Sequence, residues 1–102
     1  MRVSVIIPHL NQEDQLQQCL QSLHEQSCIE DVIIEIIVVD NGSQRLPREI
    51  CSRWDDVKLI SESIPGPGPA RNRGVAEATG DILAFIDADC RAETGWIASI
   101  VN

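Results

Sequence analysis

Asp87 and Asp89 stand one residue apart at the end of the apolar run Ile82-Leu83-Ala84-Phe85-Ile86, with the small Ala88 between them. Side chains alternate along an extended backbone, so both carboxylates would point the same way and leave room for a ligand at Ala88. Two like charges that close repel each other, and a divalent cation with hard oxygen ligands is the usual relief. The chemistry on offer is the holding of a metal ion. So short a motif also suits the capping of a turn or of the next helix.

Asp40 ends a second apolar run, Ile33 to Val39, broken only by Glu35, and leads into Asn41-Gly42-Ser43. An acid at the end of a second strand can take donors on a base or ribose in nucleotide-binding sheets, and the same four residues fit an Asx-turn equally well. His9, in Pro8-His9-Leu10-Asn11 after the first apolar run, could contact a ligand or act as a general base. A lone loop histidine more often does neither.

The stretch Ser63-Ile64-Pro65-Gly66-Pro67-Gly68-Pro69 is the only Pro/Gly-rich segment. It is neither a Walker nor a Rossmann fingerprint: Arg71 stands where a third glycine belongs, and Pro67 and Pro69 lack the N–H groups that cradle phosphate. It reads as a pocket wall. Arg71 follows it in the first turn of an expected helix, where a cation opposes the macrodipole and needs an anion. That anion could be a diphosphate or, in a purely structural role, Glu62 or Asp87; a base carbonyl is a further partner within reach. Arg73, about 200° further round the helix, reads as solvated.

The elements that must position these residues alternate. Val3 to Ile7 reads as a strand closed by Pro8. Asn11 and Asp14 resemble a capping box, and Leu16, Cys19, Leu20 and Leu23 form one helical face running to about Gln26. Ile33 to Val39 and Val57 to Ile60 read as further strands, separated by a short helix with Pro47 in its first turn and Leu46, Ile50 and Trp54 at fourfold spacing. A helix is expected from Pro69 or Ala70 to Gly80. Ile82 to Ile86 reads as a strand buried on both faces, and Thr94 as the cap of a last helix carrying Trp96, Ile97, Ile100 and Val101, its apolar pattern still running at Asn102. Together these give an α/β domain: a Rossmann-like open parallel sheet of about four strands, with helices on both faces. The clusters Pro8–Asn11, Asp40–Ser43 and Asp87–Asp89 then share one edge.

With 102 residues, 43% hydrophobic and 24% charged, the chain is one domain with one core. Sixteen acidic against eight basic residues, a net charge of -8, argue against a nucleic-acid or anionic-membrane partner. Cys19, Cys28, Cys51 and Cys90 show no zinc spacing and read as reduced thiols packing as small hydrophobes, which makes a cytoplasmic location the expectation.

Val3-Ser4-Val5-Ile6-Ile7-Pro8 through Asn11, Glu35 through Ser43, Gly68-Pro69-Ala70-Arg71-Asn72-Arg73-Gly74, and Gly80-Asp81-Ile82 through Asp89 together resemble the amino-terminal half of a family 2 glycosyltransferase with the GT-A fold. The four ordered blocks cover nearly the whole chain. The resemblance implies an enzyme using a nucleotide-diphosphate sugar and Mn²⁺ or Mg²⁺. It places Asp89 on the metal, Asp87 near the metal and the ribose or sugar, Asp40 and Arg71 at the base, and Pro8 and its neighbours, with His9, Asn11, Asn41 and Gly68, around the donor. The family often has an aromatic residue where Leu10 stands.

The family's catalytic base and acceptor-binding half lie past the Asp-x-Asp block, so the resemblance implies a base beyond Asn102. Residues 1–102 are expected to be a truncated donor-binding domain without a catalytic residue of its own. A saccharide or lipid-linked acceptor would engage the missing region, and a full-length protein could sit at the inner face of a membrane. Apolar surface around Trp96, Ile97, Ile100 and Val101 is expected to be exposed and to drive self-association. A strand ending in Asp-x-Asp also resembles haloacid dehalogenase-type phosphatases, although these place the motif on the first strand and want Thr or Val where Arg91 stands. The third reading is a non-catalytic nucleotide-binding or interaction module.

Overall fold

The structure is a computed structural model that describes residues 1–27 and 29–102. Among the described residues, strands and helices alternate as β1 (Arg2–His9), α1 (Glu13–Leu23), β2 (Ile33–Asp40), α2 (Arg48–Cys51), β3 (Val57–Ser61), α3 (Pro67–Glu77), β4 (Ile82–Phe85) and α4 (Trp96–Val101). Every pairing is parallel, in the order β3-β2-β1-β4. This is the expected open α/β sheet. Its carboxyl ends share one edge: His9 pairs with Asp40 and Asp40 with Ser61, while β4 leads out past Phe85 toward Asp87.

Alternation along the strands gives each face its own core. Val3, Val5, Ile7, Ile36, Val38 and Ala84 meet α1, α2 and α4 in the larger one. Ile6, Ile37 and Val39 meet Ala70 of α3 in the smaller. Helix α3 can lie this close because Gly74 has no side chain, and a Cβ there would collide with Ile6 and crowd Val39. On the α3 face, Glu35 Oε2 accepts hydrogen bonds from the Ser4 hydroxyl (2.6 Å) and from the Thr79 N–H (3.0 Å) and hydroxyl (3.1 Å). That bond set pins the turn that leads from α3 into β4.

Several expectations are corrected. Residues 82–86 are not buried on both faces: β4 is an edge strand, α3 packs on β1 and β2, and Leu83 and Phe85 remain 39% and 45% exposed. The apolar residues of α4 are not the exposed end expected to drive self-association, since Ile97 is fully buried and Trp96, Ile100 and Val101 pack half-buried on the larger core. The α-helical bonding of α4 continues to Asn102, whose N–H donates to the Ala98 carbonyl at 3.1 Å. Strand β1 does not stop before Pro8. The Ile6 carbonyl accepts the Ile86 N–H on the β4 side, so Pro8, two residues on, turns its missing donor to that same side, where the ladder has ended.

Helix α1 runs Glu13–Leu23 with no side-chain cap, because Asn11 takes a left-handed conformation (φ 52°) and uses its side chain elsewhere. Helix α3 begins at Pro67, earlier than expected, since first-turn residues need no N–H for intrahelical bonding; it ends at Glu77. Thr94 does not cap α4, and Trp54 lies past the single turn of α2, half-buried, with its ring stacked on His24 at 4.7 Å. Cys19 and Cys51 are buried, Cys90 is exposed, and Cys28 lies outside the described residues. Among the described residues no helix is long and apolar enough to cross a membrane.

Candidate functional site

A cavity of about 350 Å³ opens at the carboxyl edge, lined among others by Pro8, Leu10, Asn41, Gly66, Asp87 and Asp89. A second cavity of about 580 Å³, on whose wall are Arg71, Phe85, Arg91 and Trp96, adjoins it, and Asp87 lines both. The three clusters expected at one edge therefore do meet there. Asn102 lines neither cavity.

The Asp-x-Asp turn is anchored from below. Ala88 is 1% exposed and belongs to the larger core, and it also lines the cavity between the two aspartates, so its small side chain anchors the turn and leaves room above it as expected. The Asp87 carbonyl accepts the Cys90 N–H at 3.0 Å and the Cys19 thiol at 3.8 Å. With the middle residue pinned, both carboxylates are turned out. Asp87, Asp89 and Cys90 present ligand atoms within 4.8 Å of one another, all of them exposed. Two carboxylates in that arrangement are the hard oxygen donors that Mn²⁺ or Mg²⁺ prefers, so the residues fit such an ion.

Asp40 is different. It is 1% exposed, and its carboxylate accepts from His9 Nδ1 (2.9 Å) and from the N–H groups of Gly42 (3.3 Å) and Ser43 (3.0 Å). Burial would raise its pKa, but the bonds from Ser43 and His9 outweigh that and hold it below the ordinary value. This is the Asx-turn reading, and it leaves no free oxygen for a base. His9 has its other nitrogen engaged by the Gln12 N–H at 3.0 Å and is itself 1% exposed. A general base needs a free nitrogen, so that expectation is corrected.

Asn41 lines the cavity and ties its far wall to β2 through bonds to residues 62, 64 and 66. Arg71 sits in the second turn of α3, not the first, and its Nη2 lies 3.5 Å from Asp87 Oδ1. With both side chains well exposed, such a pair is worth little, and the guanidinium can be drawn away by a stronger anion. Gly68 is exposed in the first turn of α3 and off the cavity wall, and Asn11 faces a separate hollow with Glu13, Gln44 and Arg45. The Pro/Gly-rich stretch does form a pocket wall, with Pro65, Gly66 and Pro67 lining the cavity, and Leu10 lines it where the family often has an aromatic residue; Gln12 lines it without having been singled out.

A ligand-sized cavity with a carboxylate pair lies at the carboxyl edge of an open parallel sheet, the edge at which α/β proteins of this class bind their ligands. The chain belongs to a particular family of this class: the family model described as glycosyl transferase family 2 matches residues 4–102. It is 37% identical to glycosyltransferase AglE of Haloferax volcanii, over 93% of this chain and 33% of that protein. It is also 37% identical to the uncharacterized glycosyltransferase YfnE of Bacillus subtilis, over 100% of this chain and 26% of that one. The chain thus spans a third or less of these relatives' length.

Among solved structures, S. aureus TarS residues 1–349 in complex with UDP-GlcNAc superpose with a TM-score of 0.86 at 26% identity, covering 99% of this chain and 30% of that one. The mannosyltransferase PcManGT of Pyrobaculum calidifontis, in complex with GDP-Man and Mn²⁺, superposes with a TM-score of 0.79 at 28% identity, covering 95% and 32%. Family membership displaces the phosphatase reading.

Proposed function

We propose that residues 1–102 form the donor-binding domain of a glycosyltransferase, taking a nucleotide-diphosphate sugar and a divalent cation, Mn²⁺ or Mg²⁺, for transfer of the sugar to an acceptor hydroxyl. The observation that carries this is the 350 Å³ cavity that runs from Asn41 and Gly66 at one end to Asp87 and Asp89 at the other. The nucleoside lies against Pro8, Leu10 and Asn41, and the diphosphate runs toward the two aspartates. Leu10, 49% exposed, offers an aliphatic surface to the base. The bound UDP-GlcNAc of TarS and the GDP-Man and Mn²⁺ of PcManGT support the ligand class.

Asp89 and Asp87 would hold the cation, which, when bound, stabilises the charge left on the departing diphosphate. Arg71 is placed to leave Asp87 for a phosphate or sugar oxygen, and Asp87, shared by both cavities, orients the sugar between them. No carboxylate here is assigned as the base that takes the acceptor proton. That base, and the site for a saccharide or lipid-linked acceptor, are assigned to sequence beyond Asn102.

Calorimetry of the chain with UDP, GDP and dTDP, with and without Mn²⁺, tests the reading. Metal-dependent binding that disappears in Asp89→Ala is expected. Binding indifferent to both metal and Asp89 would favour a nucleotide-binding module without transfer chemistry.

A further inference from the structure

The hydrogen bonds around His9 assign its proton. A backbone N–H can only donate, so His9 Nε2, which accepts from the Gln12 N–H at 3.0 Å, carries no hydrogen. Nδ1 carries it instead and donates to Asp40 Oδ1 at 2.9 Å. The other carboxylate oxygen of Asp40 accepts the Gly42 and Ser43 N–H groups. Ser43 Oγ accepts the Asn11 N–H at 2.9 Å, and Asn11 Oδ1 accepts the Gln44 N–H at 2.9 Å. A closed ring of bonds therefore joins residues 9–12 to residues 40–44.

The side chains at its centre, His9 and Asp40, are 0% and 2% exposed, so water does not compete for these bonds. The two joined loops belong to neighbouring strands and contribute Leu10, Gln12 and Asn41 to the cavity wall. They hold the cavity's shape only while they hold each other.

We propose that His9, in its Nδ1–H tautomer, is a positioning residue: it locks the β1–α1 and β2–α2 loops into one rigid rim and so sets nucleotide affinity without lending either ring nitrogen to the nucleotide. The affinity part rests on the reading of this cavity as the nucleotide site. The rim itself does not. A residue at position 9 must give a hydrogen to Asp40 and take one from Gln12, and among neutral side chains imidazole does both from one planar ring of the right reach. His9→Asn keeps a donor near Asp40 and leaves Gln12 without an acceptor. His9→Gln keeps an acceptor at the Gln12 end and leaves Asp40 without its donor. His9→Phe loses both.

The test uses the 102-residue chain and three readouts. Long-range ¹H–¹⁵N spectra should show a protonated Nδ1 and a bare Nε2 for His9 at neutral pH; the opposite tautomer, or a doubly protonated ring, overturns the proposal. Amide exchange at Gln12 and Ser43 in the nucleotide-free chain should quicken in all three variants, while amides in β1 and β2 keep wild-type rates, which separates loosening of the rim from loss of fold. Unchanged rates at Gln12 and Ser43 overturn the coupling. Calorimetry with UDP or GDP and Mn²⁺ should show affinity falling about fivefold in the Asn and Gln variants and further in His9→Phe. Wild-type affinity in every variant overturns the positioning role. If the wild-type chain binds no nucleotide, the cavity reading falls alone, and the rim stands or falls on the exchange rates.

Discussion

Asn41 Oδ1 accepts the Gly66 N–H at 2.8 Å, while its Nδ2 donates to the carbonyls of Glu62 and Ile64 at 3.0 and 2.9 Å. One amide at the end of β2 thus holds the whole connection between β3 and α3, and with it the far wall of the cavity. Asn41→Ala removes three bonds at a half-buried site and should cost about 1–3 kcal/mol. For a domain of this size that is a fall in melting temperature of about 4–8 °C per kcal/mol, measured by thermal unfolding. Asn41→Asp should recover little, because a carboxylate can accept from Gly66 but repels the two carbonyl oxygens. A loss of only a few tenths of a kcal/mol in Asn41→Ala would mean that the loop holds itself.

Three glycines separate backbone freedom from packing. Gly66 has φ 116° and ψ 155°, a region nearly closed to other residues, so Gly66→Ala should cost about 1–3 kcal/mol although the added methyl meets only Pro69 at 3.5 Å. Gly74→Ala should cost at least as much for the opposite reason: its helical backbone suits alanine, but the methyl drives into Ile6 and pushes α3 off the sheet. Gly68→Ala meets nothing within 4 Å in an ordinary helical conformation and should be neutral or stabilising by about 0.5–1 kcal/mol. Urea unfolding of the three variants gives the ranking, and a destabilised Gly68→Ala would contradict it.

Much of this architecture is legible in the sequence because strands of a parallel sheet read as continuous apolar runs, and each run here ends at a polar turn. The edge position of β4 is not legible: Ile82 to Ile86 is an apolar run at least as continuous as Val3 to Ile7, and what exposes Leu83 and Phe85 is strand order and the placement of α3. Nor do strand-end acids declare their roles. Asp40 and Asp87 look alike in one dimension, yet Asp40 is turned inward by the N–H groups of Gly42 and Ser43 and by His9, its partner across the β1–β2 register. Asp87 lies beyond the end of pairing, where nothing encloses it. Alternating proline and glycine at 65–69 hides the start of α3, since prolines that exclude a helix interior are welcome in a first turn.

The thiols should react in order of exposure. Burial pushes Cys19 up to about 12 and Cys51 up to about 11, so neither is a nucleophile at neutral pH while the chain is folded. Cys90 is exposed, but desolvation and then the charge of Asp89 hold its thiol above the ordinary 9.0. Iodoacetamide followed by peptide mapping should label Cys90 well before Cys19 or Cys51, and Asp89→Asn should speed that labelling at a given pH. Equal rates in the wild type and the variant would show that the Asp89 charge does not reach the sulfur.

Acid should weaken the fold through two named carboxyls. Burial would raise Glu35, but the Ser4 hydroxyl, the N–H and hydroxyl of Thr79 and the charge of Lys58 outweigh it, so its folded pKa lies below the ordinary 4.5; Asp40 likewise lies below 3.8. Below those ordinary values the unfolded chain binds more protons than the folded one, so stability falls as pH drops. The contribution is complete above pH 4.5 and is lost on passing down through each folded pKa. A chain of net charge -8 also loses self-repulsion on acidification, which acts in the opposite sense, so wild-type stability alone does not isolate the effect. Glu35→Gln does isolate it. The amide oxygen can still accept from Ser4 and Thr79 but has no proton to gain, so the variant should be less stable than wild type by about 1 kcal/mol at about pH 7. That gap should narrow as pH falls from 4.5 toward about 3 in urea unfolding, because only the wild type has a Glu35 charge to lose. Parallel curves over that range would assign the acid sensitivity elsewhere, with Asp40 the next residue to substitute.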